Sequence, residues 1–182
     1  MKIGENVTLM APSGYGKTTL MGILAGIDTD FLGMVTTKAL QQGIVFQEPG
    51  LFWYKTVKEN ILYSLKTQKI PWCRDKQQHY QEWMAVTGLA GFENHYPHEI
   101  SRGMKQKSAI IRAFLAHPDL VFMDEPFSAI DKASTQEIID HIHAEYPETT
   151  LVVASHSLGE AARFSDRVLT ATHTPISGFE IS

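Results

Sequence analysis

The stretch Asn6-Val7-Thr8-Leu9-Met10-Ala11-Pro12-Ser13-Gly14-Tyr15-Gly16-Lys17-Thr18-Thr19 decides the fold. NVTLM reads as a short strand, APSGYG as a turn of small residues, and Lys17 to about Ala25 as a helix with Leu20, Ile23 and Leu24 apolar at helical spacing. Gly26 then stops that helix. A strand, a glycine-bearing turn and a helix that opens with Lys-Thr-Thr form a phosphate cradle. Gly14 and Gly16 let the chain turn so that successive N–H groups converge on phosphate oxygens. The helix start adds positive partial charge. Ser13, Gly14, Tyr15, Gly16, Lys17, Thr18 and Thr19 are therefore the expected phosphate-binding run. Lys17 is expected to reach the β- and γ-phosphates, and the Thr18 hydroxyl to bind Mg²⁺. The pattern G-x-x-x-x-G-K-[ST] has glycine where this chain has Ala11, which fits if that residue keeps φ below zero.

Outward from this loop, strands alternate with helices. Gly43 to Phe46, Leu120 to Met123, Thr150 to Ala154 and Arg167 to Thr170 read as strands. Thr56-Val57-Lys58-Glu59 has capping-box spacing and starts a helix to about Lys66. Arg74 to Thr87, Ser101 to His117, Lys132 to Glu145 and Ser157 to Phe164 read as further helices. The expected fold is α/β, a P-loop NTPase with a mostly parallel sheet flanked by helices and an inserted helical subdomain. Residues 1–49 and 119–182 would form the nucleotide-binding core, and residues 50–118 the helical subdomain, within a single domain over 1–182.

A second chemical signal lies in Leu120-Val121-Phe122-Met123-Asp124-Glu125-Pro126, an apolar strand ending in two acids. Ligands of open α/β sheets bind at the carboxyl ends of strands. Asp124 would hold Mg²⁺ through its water shell, and Glu125 would polarise an attacking water as general base.

Composition narrows the class. The net charge of −4 and pI near 6.0 disfavour non-specific nucleic-acid binding. Cys73 is the single cysteine, so no intramolecular disulfide forms, in keeping with a reducing compartment. No run of 18 apolar residues is present and the N-terminus has no apolar signal region, so membrane work would need partner chains. His141 and His143 point to different helix faces, and nothing completes a site around His95 and His98, so no metal site is expected among the histidines.

The remaining motifs make the chain resemble the nucleotide-binding subunits of ABC transporters over nearly its whole length. Gln47, after GIVFQ, resembles the Q-loop glutamine, whose implied partners are Mg²⁺ and the attacking water. Ile100-Ser101-Arg102-Gly103-Met104 resembles the L-S-G-G-Q signature and lies 23 residues before Asp124. The resemblance implies that Ser101 and Gly103 contact the γ-phosphate of ATP held by a second copy; alone, the segment would be an ordinary serine-capped helix. Ser128-Ala129-Ile130-Asp131 resembles the D-loop, with Asp131 both a contact to the opposite copy and an N-cap. His156, 31 residues after Glu125, resembles the switch histidine at the γ-phosphate. Catalytic roles thus fall to Glu125, His156 and Gln47, and metal binding to Thr18, Gln47 and Asp124.

The resemblance further implies ATP and Mg²⁺ as cofactors and a homodimer closed around ATP. It implies transmembrane permease subunits, an extracytoplasmic solute-binding protein, no nucleic acid, and a cytoplasmic place on the inner face of the cell membrane. Met104 and the C-terminal stretch Asp166 to Ser182 lean towards the nitrate/sulfonate/taurine importer group.

Some features depart from the family pattern. Arg102 stands at a glycine position and either points outward or crowds the nucleotide. The family usually has two strands and an adenine-stacking aromatic before the loop, whereas about ten residues precede it here. Tyr15 is expected to fill part of that space. Leu51-Phe52-Trp53-Tyr54-Lys55 either docks a membrane subunit or packs inside the helical subdomain. The competing readings are a non-transport ABC ATPase and a nucleotide-binding module with impaired hydrolysis.

Overall fold

A computed structural model describes residues 2–12, 14–156, 159, 163–171 and 179–181. Strands β1 (Asn6–Met10), β2 (Gln42–Val45), β3 (Leu120–Asp124), β4 (Thr150–Ser155), β5 (Arg167–Ala171) and β6 (Phe179–Ile181) form one sheet in the order β2-β3-β4-β1-β5-β6. All neighbours run parallel except β5 and β6. The helices are α1 (Lys17–Leu24), α2 (Val57–Thr67), α3 (Arg74–Val86), α4 (Arg102–Phe114) and α5 (Lys132–Glu145), with a 3-10 turn at Pro97–Glu99 before α4.

Alternation along the strands sorts the core into two layers. Val7, Leu9, Phe122, Val152 and Ala154 face α1 through Met21, Leu20 and Leu24. Val121, Met123, Leu151 and Val153 face the opposite way, into a larger core shared with α2 to α5. The register explains the split, because Phe122 lies opposite Val152 while Val121 lies opposite Leu151. The larger core runs without a break from Val57 and Ile61 of α2 and Trp83 of α3 to Ile138 and Ile142 of α5. Helix α4 lies so close on β2 that a Cβ on Gly43 would stand 2.7 Å from the Ala113 carbonyl oxygen.

The elements begin where their caps direct. Thr56 accepts from the Glu59 N–H and Glu59 accepts from the Thr56 N–H, the reciprocal pair expected from the sequence. The Asp131 carboxylate accepts from the Ser134 N–H and starts α5. Those bonds hold the Asp131 carboxyl below its ordinary value. Helix α4 ends at Phe114 rather than His117, because His117 takes a left-handed backbone (φ 54°) before Pro118. Other boundaries shift by a residue. Strand β6 was not expected as a separate element. The helix expected over Ser157 to Phe164 lies mostly outside the described residues, as do residues 172–178 and Ser182 of the C-terminal stretch.

Candidate functional site

The carboxyl ends of β1, β3 and β4 meet at one edge of the sheet, with β4 between the other two. After β1, the loop reaches Gly14 (φ 84°) and Gly16 (φ 91°), and Gly16 occupies the N-cap position of α1. A Cβ at either glycine would touch nothing within 4 Å, so the left-handed backbone, not space, requires glycine there. Ala11 is buried and, unlike Lys69, His117 and Glu125, does not take positive φ, which satisfies the condition set by its methyl group.

Lys17 is 8% exposed, and its ammonium donates to the carbonyls of Ala11 (2.6 Å) and Pro12 (3.3 Å). The Thr18 hydroxyl donates to Asp124 Oδ2 at 2.5 Å, which ties the start of α1 to the end of β3 across β4. Thr19 is exposed, Tyr15 is half-buried, and Ser13 lies outside the described residues.

Glu125 is 8% exposed and left-handed (φ 47°), a strained backbone for this residue type. Its N–H donates to the Ala154 carbonyl at 2.8 Å, which continues the β3–β4 ladder by one bond. The turn brings its carboxylate to 2.7 Å from His156 Nδ1, just past β4, with His156 itself largely exposed. Gln47 is exposed beyond β2, at the same edge, since Val45 pairs with Met123. Thus Lys17, Thr18, Asp124, Glu125 and His156 form one connected group, with Gln47 flanking it.

Ser101, Gly103 and Asp131 form a different group. The Ser101 hydroxyl accepts from the Met104 N–H, and a Cβ on Gly103 would lie 2.7 Å from the Ala129 carbonyl oxygen. Among the described residues, no hydrogen bond joins this group to the Gly14–Thr19 loop. Arg102 points outward and its Nη2 lies 3.4 Å from Glu48 Oε1. Gln106, on the same helix, donates to the Phe46 carbonyl at 3.1 Å. Sequence reading missed these two links between α4 and the Gln47 segment, and it missed the strain at Glu125.

Of the two residues expected to pack inside the helical subdomain, Phe52 does so in part and Trp53 does not. Phe52 is half-buried against Tyr63, with ring centroids 4.6 Å apart, while Trp53 (76%) and Tyr54 (55%) are exposed. His79, which the sequence reading did not single out, lies in one cluster with Glu82 and Glu145.

A family profile described as ABC transporter matches residues 1–128. This chain belongs to the ABC transporter family. An aliphatic sulfonates import ATP-binding protein, SsuB, of Bacillus cereus is 40% identical, covering 94% of this chain and 70% of that protein. A second, SsuB 2 of Pseudomonas syringae pv. tomato, is 38% identical over 96% of this chain and 74% of its own length. A dimeric bacterial ABC transporter cassette, MJ0796, superposes with a TM-score of 0.84 at 25% identity, covering 99% of this chain and 86% of that one. The same cassette in a post-hydrolysis state with ADP and Pi gives a TM-score of 0.78. The fold is that of a P-loop NTPase. As an ABC member, the chain is an ATP-binding subunit with ATPase activity that energises transport through partner membrane proteins.

Proposed function

We propose that this ABC subunit hydrolyses Mg·ATP in a homodimer to drive import of small organic anions of the aliphatic sulfonate class. The hydrolytic part rests on the convergence of Lys17, Thr18, Asp124 and the Glu125–His156 pair at one sheet edge. The cargo part rests on the 40% identity to an aliphatic sulfonates importer subunit.

In this reading the amides of Gly14 to Thr19 surround the triphosphate. Lys17 exchanges its carbonyl partners for phosphate oxygens, which are stronger acceptors for an ammonium. The Thr18 hydroxyl and Asp124 carboxylate offer converging hard oxygens at 2.5 Å separation, a donor set that suits Mg²⁺. When bound, that ion would neutralise charge on the phosphates. Glu125 orients the attacking water, and His156 fixes the carboxylate and faces the γ-phosphate. Gln47 lines the same edge. Ser101, Gly103 and Asp131 act on the nucleotide of the opposite copy.

Residues 1–49 and 119–182 act as the nucleotide-binding core and residues 50–118 as the helical subdomain that meets the permease. Among the described residues no helix is long and apolar enough to cross a membrane. The subunit works from the inner membrane face, on a permease fed by a solute-binding protein. Vesicles carrying the subunit with its permease should take up a labelled alkanesulfonate only with ATP. ATP turnover without uptake of any sulfonate would refute the cargo assignment.

A further inference from the structure

Among the described residues, one cluster of side chains outside the nucleotide site has the chemistry of a metal centre. Helix α3 presents His79 and Glu82 three residues apart on one face. The last residue of α5, Glu145, which is exposed, comes to them from a second helix. One ligand atom from each of the three lies within 4.8 Å of the others. They border an open cavity of about 310 Å³ whose other walls include the charged Asp75 and Lys76 and the ring of His117, which burial keeps neutral by pushing its pKa down to about 4. Three carboxylates against one ammonium leave this cavity net negative.

The histidine is held as a metal ligand needs to be. Residue His79 is 7% exposed, so its ring has little freedom to turn. Its Nε2 lies 2.5 Å from the Tyr146 hydroxyl, and that hydroxyl accepts from Trp83 Nε1 at 2.8 Å. A cation at Nδ1 would select the tautomer that carries the proton on Nε2 and donates it to Tyr146, leaving the Nδ1 lone pair towards the cavity. Its neighbour on that side is Glu82 Oε2 at 3.5 Å. An outer partner on one ring nitrogen and an open position on the other is the usual arrangement around ligating histidines.

We propose that His79, Glu82 and Glu145 bind a divalent transition cation of the Zn²⁺ class and thereby clasp α3 to the end of α5. Imidazole nitrogen with carboxylate oxygens favours such an ion over Mg²⁺ or Ca²⁺. Ligand atoms around one ion at roughly 2.1 Å lie about 3.4 Å apart. His79 Nδ1 and Glu82 Oε2 already stand at 3.5 Å, so the closing from 4.8 Å falls to the exposed Glu145 side chain.

The test titrates the full chain with Zn²⁺ alone by calorimetry, with Co²⁺ absorption as a reporter of ligand type. One equivalent binds, and a hundredfold excess over Kd raises Tm by about 5–10 °C. Glu145→Gln, at an exposed helix end, keeps the metal-free Tm and loses affinity by at least about tenfold. Tyr146→Phe, which preserves the ring, lowers affinity by about 10–100-fold. Zn²⁺ affinity unchanged in a Glu82→Gln/Glu145→Gln double variant overturns the proposal. So does binding that disappears with His156→Gln or His95→Gln instead.

Discussion

Substituting Gly103 by alanine probes the joint between the start of α4 and the segment that follows Asp124. The added Cβ would stand 2.7 Å from the Ala129 carbonyl oxygen, a backbone atom that cannot rotate away. Ordinary contact needs 3.4 Å or more, so the joint must open by about 0.7 Å. Overpacking of this kind costs about 1–3 kcal/mol. Alanine returns up to about 1 kcal/mol of helix propensity, less in a first turn. A net loss of about 1–2 kcal/mol follows, or a Tm lower by about 2–8 °C. Turnover should fall further than stability, because Ser101 and Asp131 sit on either side of the joint, and a displacement near 1 Å can cost about 100-fold in rate. Gly43→Ala is the control. Its Cβ would meet the Ala113 carbonyl oxygen at the same 2.7 Å, between α4 and β2. It should lower Tm comparably while retaining turnover per folded molecule. Differential scanning calorimetry and a phosphate-release assay with the permease present measure both quantities. Native Tm together with native turnover in Gly103→Ala would refute the reasoning.

Other substitutions separate stability from chemistry. Glu125→Asn should abolish turnover yet unfold no more easily than the native chain, since asparagine tolerates the left-handed backbone at this position (φ 47°); a large drop in urea midpoint would contradict the strain. Asn60→Asp should destabilise by about 3 kcal/mol or more. Asn60 is fully buried, and its amide nitrogen donates to the carbonyls of Phe52, Lys55 and Thr56, so a carboxylate would face three acceptors. Loss of the ordered Phe52–Thr56 turn should also weaken permease binding, measurable by pull-down. Thr56→Ala removes one half of the capping box and should cost about 1 kcal/mol in urea unfolding, with ATP affinity unchanged.

What the sequence made legible depended on locality. The phosphate loop is readable because strand, turn and helix are contiguous and glycine is forced by φ at Gly14 and Gly16. Helix α5 matches its expected bounds because Asp131 caps it and Pro147 follows its end. Strand β6 escaped notice because its three residues owe their pairing to β5. The same holds at the site. Asp124 and Glu125 stood out as acids after an apolar run, but the left-handed turn that aims Glu125 at His156 arises from the β3–β4 register. The Arg102–Glu48 and Gln106–Phe46 links join residues more than fifty positions apart and leave no local signature. Histidines were weighed by their neighbours in sequence, and that hides His79, whose companions Glu145 and Tyr146 arrive from α5.

In the proposed function, activation of the water that attacks ATP falls to the Glu125 carboxylate. Phosphate release by Glu125→Gln, measured beside the native chain at saturating Mg·ATP with the permease present, tests this directly. The expected result is a fall of about 10²–10⁴-fold at preserved ATP binding. Turnover equal to native would contradict it.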